Sequence, residues 1–189
     1  MFAYENFSEI YDAIAYMLVP LYIIALVLAW KSINVRYLIS VILVIETLDA
    51  LTIDFAFSLG NYYYLWVTFV SILFLIPVLG RRLIAASLSS RIKVFKKIQS
   101  QYVFTRQEGG LIFLYALATL ISFIAFIEAS LYTAAIIQSP PIINNVYGPT
   151  LSLIHLLEAF LVLSLAAKGN WVFTVNKSKK AKKSRSYST

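Results

Sequence analysis

Five long apolar stretches dominate the pattern of hydrophobic and polar positions along this chain. Charged residues, prolines or short polar segments separate them, and each stretch approaches the ~20 residues that an α-helix needs to cross a bilayer. Apolar runs of this length predict membrane-spanning helices rather than buried strands. The pattern therefore predicts an all-α, polytopic integral membrane bundle. Its five transmembrane helices are expected at about residues 13–30, 37–58, 63–80, 111–138 and 151–167.

The segments outside these helices are basic. The predicted transmembrane domain covers residues 1–168 and includes residues 81–108, where apolar positions recur at helical spacing among Lys and Arg. This spacing predicts an amphipathic cytoplasmic segment lying at the membrane surface. The candidate residues for docking anionic lipids or an acidic cytoplasmic partner are Arg91, Lys93, Lys96 and Lys97. Residues 169–189 form a basic, low-complexity tail, for which we expect disorder.

The positive charges also predict the orientation. All 16 Lys and Arg residues lie in three places: between the first and second predicted helices, between the third and fourth, and after the fifth. Positive residues close to membrane spans accumulate on the cytoplasmic side. Five spans with the N-terminus outside and the C-terminus in the cytoplasm account for every one of them. We therefore expect a multi-pass protein of the plasma (inner) membrane.

Composition agrees with this fold class and excludes several kinds of site. The chain is 60% hydrophobic and only 13% charged, whereas soluble domains are nearer half apolar and about a quarter charged. It has no cysteine, which excludes disulfides, iron–sulfur clusters and thiolate metal sites. Its single histidine excludes a haem held by two histidines of one chain. No P-loop, GxSxG, HExxH or GxGxxG motif is present, so we expect no enzymatic activity, no catalytic residue and no cofactor.

Acidic side chains inside the predicted helices are the main candidates for function. With the predicted boundaries, they fall near the middle of the membrane or in its outer half. Burying a charged side chain at this depth costs several kcal/mol, and ionisable residues there are functional candidates by default. The predicted spans contain no Lys or Arg to neutralise them, so some must hold a proton or bind a cation. The candidate proton- or cation-binding residues are Glu46, Asp49, Asp54, Glu128, His155 and Glu158.

Helical geometry indicates which of these can lie together. Glu46 and Asp49 are about 60° apart around one helix, and His155 and Glu158 are about 60° apart around another. We expect the second, fourth and fifth spans to bring the acidic residues together in the bundle interior. The alternative is that protonated carboxyls simply hydrogen-bond neighbouring helices. A metal site remains a further alternative, although a di-iron bundle uses two Glu-x-x-His motifs and this chain has one histidine.

Three classes of function follow. The first is a non-enzymatic channel, coupled transporter or sensor of membrane state that uses the acidic residues. The second is a structural or accessory subunit of a respiratory, transport or defence complex, and the third is a membrane enzyme with a carboxylate metal site. A bundle this small is expected to form a homo-oligomer or to join a larger membrane complex. Nucleic acid is not an expected partner, because the basic tail lacks interleaved aromatic residues and a fold of its own.

Overall fold

The computed structural model describes residues 4–89 and 104–185, and every element within them is helical. The elements are α1 (Tyr4–Leu28), α2 (Ile33–Leu51), α3 (Ile53–Ser58), a 3₁₀ turn (Gly60–Tyr62), α4 (Tyr63–Ser89), α5 (Arg106–Thr133), a π-helical turn (Ile143–Tyr147) and α6 (Gly148–Arg185). The predicted all-helical class is confirmed.

Several of these helices are long and apolar enough to cross a membrane. In the described residues, three segments meet both conditions: Gly60–Gly80, Arg106–Thr133 and Ile143–Lys168. The described apolar part of α1, Tyr16–Leu28, is shorter. Helix α2 is less apolar because it carries Arg36, Glu46 and Asp49. The structure is therefore compatible with a helical membrane protein, while the five spans and their orientation stay predictions.

The long helices of the described chain pack as a ring. Helix α1 packs along α6 and α4 packs along α5, while the contacts of α5 with α6, of α1 with α2 and of α2 with α4 close the ring. Helix α2 also touches α6, across the middle. Ala25 of α1, Ala29 in the turn that follows α1 and Ala166 of α6 are fully buried, and such small residues allow helix backbones to approach closely. Helix α2 is thus in contact with three of the other long helices.

Helices α5 and α6 run antiparallel in a register that hydrogen bonds define. Near one end, Gln107 Nε2 donates to Ser164 Oγ at 3.3 Å. Near the other end, the backbone N–H of Ile143 donates to Glu128 Oε2 at 2.7 Å. Gly110 permits the close approach between them, because a Cβ there would lie 2.8 Å from Leu161 Cδ1. Gly109 and Gly110, which precede the fourth predicted span, thus belong to the first turns of α5.

The second predicted span is not one continuous helix. Residues 37–58 divide at Thr52 into α2 and α3. The Thr52 hydroxyl bonds to the carbonyls of Leu48 at 2.9 Å and Asp49 at 3.2 Å, which occupies carbonyl groups that a straight helix would use. Non-helical backbone at membrane depth is tolerated where it is buried in protein or lines a water-filled cavity. The break lies one turn from Asp49.

Helix α5 ends five residues before the predicted limit at residue 138. Ala135 adopts the left-handed conformation, with φ of 55°. The N–H of Ile136 bonds to Leu131 O and the N–H of Ala135 bonds to Tyr132 O, both at 3.0 Å. These two bonds form the Schellman motif that ends many helices, usually with glycine at the left-handed position. The sequence predicted a longer helix because alanine is a strong helix former and gives no stop signal.

Other predicted boundaries also differ from the structure. Helix α4 continues past residue 80 to Ser89. Helix α5 begins at Arg106 because Thr105 and Glu108 form a capping box, in which each side chain bonds the backbone N–H of the other residue. Helix α6 extends to Arg185 and covers most of the tail that we expected to be disordered, a stretch rich in the helix formers Lys, Ala and Arg. The predicted docking residues Arg91, Lys93, Lys96 and Lys97 lie outside the described residues.

The left-handed alanine gives a stability prediction. A side chain in this conformation costs roughly 1–2 kcal/mol, whereas glycine adopts it freely. Ala135→Gly is therefore expected to stabilise the protein by about 1 kcal/mol in denaturant unfolding in mild detergent. Ala134→Gly is the matched control, because Ala134 has a φ of −75° and should gain nothing. Equal effects of the two substitutions would contradict the assignment of strain to Ala135.

Candidate functional site

Two glutamates from different helices meet in the interior of the bundle. Glu46 lies on α2 and Glu158 on α6, and they are only 6% and 2% exposed. Their carboxylates are close enough to repel each other when both are ionised. Because water cannot screen charges well in a buried site, this repulsion is stronger than between surface carboxylates. The pair therefore favours a state in which a proton or a cation neutralises one of its members.

A second pair lies beside the first, one turn along each helix. Asp49 of α2 interacts electrostatically with His155 of α6, and His155 Nδ1 is 3.7 Å from Glu158 Oε2. The two pairings require α2 and α6 to run antiparallel, so the pairs form successive levels about 4.5 Å apart along the helices. Both Asp49 and His155 are partly exposed. The second pair is therefore more exposed than the buried glutamates.

Tyr115 of α5 holds the Glu158 carboxylate in place. Its hydroxyl donates a hydrogen bond to Glu158 Oε1, while the other carboxylate oxygen faces His155. The Tyr115 ring stacks on Phe74 of α4, with ring centres 5.1 Å apart and an angle of 15° between the planes. This packing fixes the ring, and the ring fixes the carboxylate. Tyr115 thus fixes the orientation of the Glu158 carboxylate, with one oxygen towards the tyrosine hydroxyl and the other towards His155.

Tyr22 of α1 brings a further hydroxyl to the same place. The residue is fully buried, and its hydroxyl lies within electrostatic reach of Glu158 and Glu46. It forms no hydrogen bond of ordinary geometry with any residue that the structure describes. A buried hydroxyl without such a bond is costly, so it commonly marks a place where another group or a water molecule binds.

These side chains form one site, which we call the carboxylate cluster. Its members are Tyr22, Glu46, Asp49, Tyr115, His155 and Glu158. Of these, the sequence predicted the four charged or imidazole members but not the two tyrosines. For Tyr22 the available signal was a tyrosine near the middle of a predicted span, because tyrosines more commonly lie at the membrane surface, whereas Tyr115 lies only five residues into its predicted span. In a chain with 13 tyrosines, that signal was too weak to select two of them.

The geometry of the cluster suits a proton better than a multidentate metal ion. Across the described residues, no three His, Asp or Glu side chains converge closely enough to hold a metal. A proton needs only one or two oxygen atoms, which the Glu46–Glu158 pair provides. Tyrosine hydroxyls can both donate to and accept from a carboxyl group, so they can follow a change in its protonation.

Glu128 lies apart from the cluster and has its own partners. Its carboxylate accepts hydrogen bonds from the backbone N–H groups of Ile142 at 3.0 Å and Ile143 at 2.7 Å. These groups belong to the first turn of a helical segment that begins after Pro140, where N–H groups lack partners within the helix. A carboxylate is favourable there because it satisfies these donors and lies at the positive end of the helix dipole. Glu128 therefore joins α5 to the start of the chain that leads into α6.

Glu128 is also distant along the helix axis. Thirteen residues separate it from Tyr115 on α5, which corresponds to roughly 20 Å. Helix α5 ends at Thr133, so Glu128 lies within the last two turns of this helix. Asp54 is outside the cluster as well, since it is exposed on α3, beyond the break at Thr52.

Comparison with known proteins found no counterpart: no protein-family model, no curated protein and no solved structure matches this chain. The function must therefore be argued from the arrangement of its own residues.

The bonds of Glu128 predict a structural effect. Glu128→Ala leaves two buried N–H groups without acceptors and should lower the free energy of unfolding by about 1–3 kcal/mol. The measurement is denaturant unfolding of the purified protein in mild detergent. Ser130→Ala is the control on the same helix, because its exposed hydroxyl bonds only to the Phe126 carbonyl one turn away. If both variants unfolded like the unmodified protein, Glu128 would not be stabilising the start of the α6 segment.

Proposed function

We propose that this chain is a multi-pass membrane protein with five spans, its N-terminus outside and its C-terminus in the cytoplasm. The three long apolar helices supply three spans, and α1 together with α2–α3 would supply the other two. In support, α1 packs along α6, and α2 contacts α1, α4 and α6, so both belong to the same bundle as the apolar helices. The distribution of Lys and Arg supports the orientation.

The absence of cysteine makes this topology straightforward to test. A membrane-impermeant maleimide should label Asn145→Cys, between the last two spans, from the outside of intact cells. Ser184→Cys, in the basic tail, should be labelled only after the membrane is permeabilised. Labelling of both positions in intact cells would contradict a span between them, and the reverse pattern would overturn the orientation. The cysteine-free parent protein controls for background labelling.

Within this topology, the carboxylate cluster is a proton-binding site whose occupancy changes how the helices pack. The observation that carries this proposal is that Glu46 and Glu158, from helices remote in sequence, are both buried and lie within electrostatic reach of each other. With a proton between them, the two carboxyl groups can share a hydrogen bond. Without it they repel, and α2 and α6 are driven apart. Such coupling between protonation and packing serves a proton-coupled transporter or a sensor of membrane state.

A permanently open channel is less consistent with this geometry than a coupled transporter or a sensor. Glu158 is 2% exposed and Glu46 is 6% exposed, so protein surrounds the pair. A pathway that is open at all times would leave its ion-binding groups in contact with water. An occluded site instead exchanges its proton only after a conformational change or through neighbouring proton-carrying side chains, and transporters and sensors use such controlled access. No enzymatic activity is part of this proposal.

Two substitutions with a matched control test the proton site. Glu46→Gln and Glu158→Gln keep the side-chain size but remove one ionisable group each, so each should reduce the number of protons taken up by the purified protein after a downward pH jump. Glu128→Gln is the control, because Glu128 is buried as deeply as Glu46 but is bonded to backbone N–H groups elsewhere. Unchanged uptake in both cluster variants would refute the site. Proton flux in vesicles would then distinguish a transporter from a sensor.

A structural or accessory subunit is the second candidate. It is favoured by the hydrogen bonds that Glu158 and Glu128 already make within the bundle, since both stabilise helix contacts without any bound ion. Purification in mild detergent followed by native mass measurement tests this role. Foreign subunits in stoichiometric amounts, together with unchanged proton uptake in the cluster variants, would favour it over a proton site. A carboxylate metal enzyme gains no support from the described side chains.

The partners we propose follow from the charge distribution. Anionic lipids on the cytoplasmic side suit the basic segment that contains Arg91, Lys93, Lys96 and Lys97, because each basic residue near such a surface contributes about 1 kcal/mol. An acidic cytoplasmic protein could use the same charges. Assembly into a homo-oligomer, or into a larger membrane complex, remains part of the proposal for so small a bundle.

A further inference from the structure

The position of His155 suggests a route by which the buried glutamates exchange protons. We propose that His155 relays protons between the partly exposed Asp49 and the buried Glu158. This inference rests on the proposed function, since it assigns a way in and out of the same proton site. It adds a role for His155 that does not follow from the burial or the pairing of the glutamates.

His155 lies beside a buried acid and within electrostatic reach of a more exposed one. Its side chain is 26% exposed, whereas that of Glu158 is 3% exposed. Its Nδ1 is 3.7 Å from Glu158 Oε2, slightly beyond a direct hydrogen bond, so a small rotation of either side chain would close the contact. It also interacts electrostatically with Asp49 of α2. An imidazole can gain and lose a proton near neutral pH, which a relay requires.

Every helix around the glutamates contributes to the surroundings of this step. Tyr22 of α1, Glu46 of α2 and Tyr115 of α5 face the buried pair, while α4 provides the apolar ring of Phe74 behind Tyr115. Tyr115 occupies Oε1 of Glu158, which leaves Oε2 as the oxygen towards His155. The proton therefore has a defined acceptor atom.

The hydroxyl of Tyr22 is an independent indication that the site receives a proton or a hydrogen-bonded group. It is fully buried beside both glutamates and lacks a hydrogen bond of ordinary geometry to the described residues. A protonated carboxyl at Glu46 or Glu158 would supply a donor to this oxygen, and an ionised one would supply an acceptor. The hydroxyl is thus ready to stabilise either protonation state.

The transfer itself is balanced. The protonated imidazole of His155 gives its Nδ1 proton to Oε2 of ionised Glu158, so that the N–H bond breaks and an O–H bond forms. The positive charge of the ring and the negative charge of the carboxylate disappear together, which lowers the cost of charge in the apolar interior. The neutral ring then takes a proton from protonated Asp49, so that an O–H bond breaks as the N–H bond forms again, and Asp49 regains its proton from outside the cluster. Release of the proton follows the same steps in reverse.

The rate of proton uptake tests the relay separately from the site. After a downward pH jump on the purified protein, a pH-sensitive dye gives both the extent and the rate of uptake. His155→Ala should lower the rate by about tenfold or more, because a positioned proton carrier contributes at least that much. The protons bound by the glutamates should still be taken up in the end. Added imidazole should restore the rate, since the side chain that it replaces is partly exposed.

A matched control and two possible outcomes test the relay through His155. Ser152→Ala, on the same helix, removes a partly buried hydroxyl that bonds only to the Gly148 carbonyl, and should leave the rate unchanged. If His155→Ala kept the normal rate while Glu46→Gln and Glu158→Gln lost uptake, the relay would be wrong and the proton site would stand. A slow rate that imidazole does not restore would also overturn the relay, because it would make the role of His155 structural.

Discussion

Electrostatic repulsion between the buried carboxyl groups of Glu46 and Glu158 is the constraint on which the interior of this bundle depends. The two residues lie on α2 and α6, which are in contact with each other. Two buried carboxyl groups attract or repel according to the number of protons between them. In the proposed function, a single proton therefore changes the packing of a helix that contacts three of the other long helices.

Buried acidic residues serve two different purposes in this protein. Glu158 receives a hydrogen bond from one tyrosine hydroxyl and lies beside a second glutamate, so its charge is only partly compensated. Glu128 receives two backbone hydrogen bonds at the start of a helical segment, which suits a permanent negative charge. The two residues have similar burial and chemistry, and only their partners distinguish a protonation site from a structural bond between helices.

The pattern of apolar residues predicted the helices better than it predicted their ends. Long apolar runs made the all-helical class predictable, because no other element buries so many consecutive apolar residues at this length. The ends at Thr52 and Ala135 were not predictable, since neither glycine nor proline marks them. In both places the chain turns because backbone and hydroxyl groups find alternative hydrogen bonds, and those depend on the local conformation rather than on residue type.

Helical periodicity alone determined that Glu46 lies beside Asp49, and His155 beside Glu158, because residues three apart share a face of any α-helix. Only the tertiary structure decided that these two faces meet, that Tyr22 and Tyr115 complete them, and that Glu128 does not take part. The physical reason is that periodicity sets the direction of a side chain around its own helix. The antiparallel register of neighbouring helices, set by packing along their whole length, decides which side chains lie opposite.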